Sequence, residues 1–179
     1  MFKHIINMNN IKLININAYF LSQLQLNKQT KQVVKLLNKD LIQKFTNLWN
    51  FSVLFVKKKK STWWMCINYR MLNNITVKNK YSLFWIQKCL DWINKTQYLI
   101  KFDLTLNYYQ VCVIKNNTKK TVFNTHYNKY KFTTISFKLC NVFAIFQLIM
   151  NFILKNSLNK FCFVYLNNIL IFFNSILNH

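Results

Sequence analysis

Cysteine, histidine and carboxylate are the usual carriers of protein chemistry, and all three are sparse here. Cys66, Cys89, Cys112, Cys140 and Cys162 are scattered and form no Cys-x-x-Cys pair, and His4, His126 and His179 are equally dispersed. That pattern argues against a zinc site and for a reduced, intracellular setting. Lysine is the abundant polar group. The 179 residues hold 25 Lys and Arg against 3 acids, for a net charge of +22. Either the partner is an anion, of which nucleic acid is the commonest, or the chain has lost its acids. Arg70 is the only arginine, so the charge is almost all lysine, which binds phosphate as a point charge without a bidentate fork. The sharpest local pattern is Phe161 to Phe173, FCFVYLNNILIFF. Two apolar, β-rich runs flank Tyr165-Leu166-Asn167-Asn168, and two turn-prone residues between such runs read as a tight hairpin.

The elements that must position these residues follow from hydrophobic spacing. Met1 to Ala18 is low-complexity Asn/Ile/Lys sequence and is expected to be poorly ordered. Apolar residues at Leu24, Leu26, Val33, Val34, Leu36, Leu37, Leu41 and Ile42 predict a helix over Leu21 to Phe45. Val53 to Val56 is a short strand, Lys57 to Lys60 a lysine turn, and Trp63 to Tyr69 the returning strand. Leu83 to Ile93 is helical in pattern. Tyr98 to Leu104, Gln110 to Ile114, Thr121 to Thr125 and Lys129 to Thr134 read as strands. Asn141 to Leu154 is a second long helix, and the hairpin closes the chain. Helices and antiparallel strands mix without a βαβ rhythm, so the class is α+β.

Composition bounds the rest. A 53% hydrophobic content is too high for a disordered chain. Glycine, proline and glutamate are absent. Asparagine must therefore serve the turns that need φ > 0. The abundant Asn, Lys, Ile, Phe and Tyr have AT-rich codons, so the bias looks like a property of the DNA. The longest apolar stretch, Leu139 to Leu154, contains Asn141, Gln147 and Asn151 and reads as a core helix rather than a membrane span.

Five ordered blocks resemble the reverse transcriptase of gypsy-like long-terminal-repeat retrotransposons. They are Val53 to Lys59 with Trp63 to Asn73 (WWMCINYRMLN), Lys78 to Phe84, Lys101-Phe-Asp-Leu104 with Tyr108, Tyr109 and Gln110, Phe137 to Ala144 through Gln147, and Tyr165 to Phe172. The tetrad is similar to the family's Tyr-x-Asp-Asp hairpin. The resemblance implies the fingers and palm of a right-hand polymerase, the thumb being absent. A low-complexity stretch would occupy 1–20 and the polymerase region 21–179, with fingers mainly 45–95 and palm mainly 96–179.

What the resemblance implies chemically is RNA-directed DNA synthesis on a template-primer of RNA or DNA, with a dNTP and Mg2+. It places catalytic and metal-binding roles on Asp103 and puts Asn167 and Asn168 where the family has its paired aspartates. It places nucleotide contacts at Lys58, Tyr108, Phe137 and Gln147. Trp64 stands where the family has a phosphate-clamping arginine. Lys138, Asn107, Asn128 and Lys95 stand where it has glycine, and Val122 and Val142 where it has alanine. Each departure can arise by C-to-T or G-to-A transitions alone. The expectation is a decayed, inactive copy, burdened wherever a lost glycine leaves another residue left-handed. Two other classes compete: a basic nucleic-acid-binding module without catalysis, and a small membrane-associated protein.

Overall fold

Helix α1, Gln23–Leu37, shows how a chain without glycine or proline punctuates its elements. Ser22 caps it, its Oγ accepting from the Gln25 N–H at 3.4 Å while the Gln25 side-chain oxygen accepts from the Ser22 N–H at 3.0 Å. This reciprocal pair satisfies two backbone donors that the first helical turn leaves open. The helix stops well before the expected Phe45. The following turn passes through Asp40 at φ 54°, and Ile42–Lys44 becomes a strand, β2. Pairing with Lys129–Phe132 overrides the helical spacing there, because the non-local ladder satisfies the same backbone groups and buries Ile42.

The computed structural model describes residues 3–9, 13–57, 63–81, 91, 93–94, 96–104 and 107–174. Two compact units emerge: Met1–Lys78 with Tyr108–Val142, and Asn79–Asn107 with Phe143–His179. The chain thus changes unit three times, so each unit is built from two separate segments.

In the first unit, β1 (Lys3–His4) pairs in parallel with β6 (Cys112–Val113). A five-stranded sheet carries the order β2-β8-β7-β3-β4, where β3 is Phe51–Lys57, β4 Trp63–Ile67, β7 Phe123–Asn124 and β8 Lys129–Phe132. The short helices α2 (Arg70–Ile75) and α3 (Lys115–Thr118) lie in the same unit. Its core gathers Phe51, Tyr69, Leu72, Val122 and Phe123, all at most 1% exposed. Phe51 meets Tyr69 edge-on at 5.0 Å, and the Tyr69 hydroxyl donates to the Thr121 carbonyl at 2.7 Å. Val122 and Val142, in place of alanine, are both fully buried. The strands expected over Gln110 to Ile114 and Thr121 to Thr125 are shorter than predicted, because 3-10 turns at Asn107–Gln110 and Lys119–Thr121 take up their starts.

The N-terminal stretch is ordered where it is described, against expectation. Ile6 and Ile14 are 2% and 4% exposed, and Asn50 clips the segment by accepting at its backbone from Ile16 N–H, donating from its own N–H to Ile14 and donating from its amide to the Ile16 carbonyl. Low complexity does not preclude folding when alternate isoleucines find a core.

His4 is buried there, its Nδ1 without a hydrogen-bond partner, and burial lowers its pKa to about 4. The neutral form is the folded form. The unfolded chain takes up a proton near pH 6.5 while the folded chain does not until about pH 4. Stability is therefore intact above pH 6.5 and is lost as pH falls through that window, by about 3 kcal/mol in all. Denaturant melts from pH 7 to pH 4 will show this loss, and His4→Leu will remove most of it. An equal loss in both chains would show that His4 is not the titrating group.

In the second unit, the sheet order is β5-β10-β9, with β5 Tyr98–Asp103, β9 Cys162–Tyr165 and β10 Asn168–Phe173. β10 is central and antiparallel to both neighbours. Phe163 and Phe172 stack at 4.8 Å and, with Leu170, form a small apolar cluster. Helix α4, Val142–Ile153, matches the second predicted helix to within a residue at each end. Most of the helix expected over Leu83 to Ile93, and the lysine turn from Lys58 onward, lie outside the described residues. Among the described residues, no helix is long and apolar enough to cross a membrane.

The missing glycines cost less than expected. Among the described residues only Asp40, Asn159 and Leu166 have positive φ, so neither Lys138 nor Asn128 is left-handed. The backbone at those two positions suits any residue.

Candidate functional site

The hairpin turn is built one residue earlier than the sequence suggests. Its two loop residues are Leu166 and Asn167, and Asn168 already opens β10. Leu166 sits at φ 54°, a conformation that costs a branched residue about 1–2 kcal/mol. Gln147 holds it there. The Gln147 side-chain oxygen accepts from the Leu166 N–H at 2.8 Å, and its amide donates to the Val164 carbonyl and to Asn151, both at 2.9 Å. Asn151 in turn donates to the Tyr81 hydroxyl at 2.7 Å.

Gln147 is only 1% exposed. Its polar atoms are engaged with the hairpin and with Asn151. It is a positioning residue, and the tight turn is over-determined from below. Nothing local signals this, since its two hairpin partners lie 17 and 19 residues away.

The turn delivers Asn167 and Asn168 to the end of β5. Asn168 pairs in register with Asp103, and the Leu104 N–H donates to the Asn167 carbonyl at 2.9 Å. The Asn167 amide then donates to the Asp103 carboxylate at 2.8 Å. The structure thus gathers the three residues expected to be catalytic. An N–H group of Asn167 points at the Asp103 carboxylate. Magnesium takes hard oxygen donors and is usually held by one or two carboxylates with the substrate's own phosphates. Among the described residues of this hairpin and β5, Asp103 is the one carboxylate, and the Asn167 side chain meets it as a donor. These residues do not fit a two-magnesium centre. Among the described residues, no group of three His, Cys, Asp or Glu could hold a metal.

A second cluster lies in the first unit. The Phe137 ring is 5.7 Å from Tyr108 and 5.3 Å from Trp64, and the Lys138 ammonium lies 5.5 Å over it. Burial raises the Tyr108 pKa, so its phenol stays neutral. Trp64 extends the aromatic surface but offers no guanidinium. Asn73, which the sequence does not single out, ties this loop down. Its amide donates to the Lys138 carbonyl at 2.8 Å, and its side-chain oxygen accepts from the Cys140 N–H at 3.0 Å. Lys58 lies outside the described residues.

The family model described as reverse transcriptase (RNA-dependent DNA polymerase) matches residues 56–179. The chain belongs to this family. It is 32% identical, over 99% of its length, to the retrovirus-related Pol polyprotein from transposon 297 of Drosophila melanogaster. It is 35% identical, over 60% of its length, to an RNA-directed DNA polymerase homolog of Oenothera berteroana, of which that match covers 76%. A foamy viral protease-reverse transcriptase, solved in complex with an RNA/DNA hybrid, superposes on 99% of the chain at TM-score 0.88 with 19% identity, which shows the common fold. The chain spans 17% of the Drosophila polyprotein and 24% of the foamy viral chain.

Proposed function

We propose that this chain is the fingers and palm of a gypsy-like retroelement reverse transcriptase that has lost its metal-dependent chemistry and kept its affinity for nucleic acid. The first compact unit would be the fingers and the second the palm. The observation that carries the reading is the bond from the Asn167 amide to Asp103, which sets a hydrogen-bond donor against the one carboxylate of the site. The lost arginine at Trp64 and the gained ammonium at Lys138 point the same way, since a triphosphate loses its bidentate clamp and meets a long side chain. A decayed copy of a once active element accounts for all three. The partner would be an RNA or DNA template-primer, as in the foamy viral complex, held through lysines and phosphates. The membrane-associated alternative draws no support from any element described.

Primer extension tests this directly. Purified chain with an RNA template, DNA primer, dNTPs and Mg2+ will incorporate no more nucleotide than an Asp103→Ala variant. The same preparation will retain duplex binding. Template-dependent incorporation above the variant would overturn the loss of chemistry, and absence of any duplex affinity would overturn the binding role.

A further inference from the structure

One cavity in the first unit belongs to neither cluster above. It measures about 800 Å³ and shares no residue with the Asp103 hairpin or the Phe137 surface. Strand geometry builds it. Gln43 on β2 pairs in register with Lys131 on β8, so their side chains leave the same face, and Thr133 follows two residues on. Lys3 on β1 pairs in register with Cys112 on β6, and Lys115 opens α3 just beyond. Three lysines from three separate segments therefore converge on one hollow, and no acid occurs among its described lining residues.

We infer that this hollow binds the phosphodiester backbone of a nucleic-acid strand, as an anchoring site separate from the polymerase residues. The inference rests on the nucleic-acid-binding reading given above. Lys131 is braced, its ammonium 4.0 Å over the Phe45 ring, so its position is held before a ligand arrives. Lys3 and Lys115 are exposed and complete an arc of point charges. Gln43 and Asn116 supply exposed amide donors at the rim. Lysine charge and amide donors match phosphate oxygens at any sequence, whereas base-edge readout would ask for the guanidinium fork that the lining lacks. The volume accommodates a phosphate with its sugar.

The test compares two triple variants of equal charge. One is Lys3→Gln, Lys115→Gln and Lys131→Gln. The control is Lys31→Gln, Lys35→Gln and Lys155→Gln, all exposed lysines outside the cavity. Random-sequence duplex is titrated from low to physiological salt. The cavity variant will lose about 2 to 3 from the slope of log affinity against log salt, near 0.9 for each phosphate contact removed, and the control less than about 1. Equal losses would show diffuse attraction and overturn the site. No binding by the parent chain would instead overturn the reading beneath it. Should the cavity variant fail to fold, acetylation footprinting of the parent chain decides: duplex must protect Lys3, Lys115 and Lys131 more than Lys31 and Lys35. Protection by inorganic phosphate alone at the same phosphate concentration would mark a free-anion site and overturn the strand assignment.

Discussion

Changing Asn167 and Asn168 together to aspartate will restore cation binding without restoring a working polymerase. In the parent chain the Asn167 amide lies 2.8 Å from the Asp103 carboxylate and donates to it. In the variant that donor becomes a second carboxylate oxygen, and the two anions repel. Metal-free double variant will therefore melt a few degrees below the parent, the exposed setting keeping the effect to about 1 kcal/mol. Mg2+ or Mn2+ will raise its melting temperature in proportion to occupancy and leave the parent unmoved. Primer extension by the variant will still fall at least about a hundredfold short of an intact relative, the loss typical of one missing transition-state donor. Trp64 supplies no guanidinium, and Lys138 crowds the Phe137 surface with an ammonium 5.5 Å from the ring. A cation-independent melt in the variant would sink the electrostatic account. Turnover near that of an intact relative would show that the two asparagines are the whole lesion.

The second large effect is on nucleic-acid affinity. With a net charge of +22, the chain will bind random duplex, and raising salt from about 50 to 200 mM will weaken binding by about 10³-fold. That figure corresponds to roughly six phosphates engaged, each releasing condensed counterions. Exchange of one duplex sequence for another will change affinity by less than about threefold, because base edges are read best by bidentate groups and Arg70 is the only arginine. Filter-binding or anisotropy titrations across salt will measure both. A flat salt response would mean that the lysines are a by-product of mutation, with no organised surface.

Local spacing and block order carry a definite part of this architecture. The start of the helix that follows Leu21, the apolar helix over Val142–Ile153 and the strands of the hairpin after Phe161 are legible, because each follows from spacing within a turn or two of chain. The order of the blocks was enough to reach the reverse transcriptase family. Tertiary structure decided the rest. Ile42 left its helical pattern because β8 offered it a ladder. The low-complexity N-terminus acquired order because Ile6 and Ile14 reach a core that the segment itself does not contain. Gln147 emerged as the brace of the Leu166 turn, and Asn73 as the anchor of a loop 65 residues away. The most telling bond, Asn167 to Asp103, spans 64 residues. Composition reveals only that acids are scarce; the paired strands reveal that the Asn167 amide meets the Asp103 carboxylate. Periodicity and propensity act over a few residues, whereas these contacts exist only once distant strands have registered.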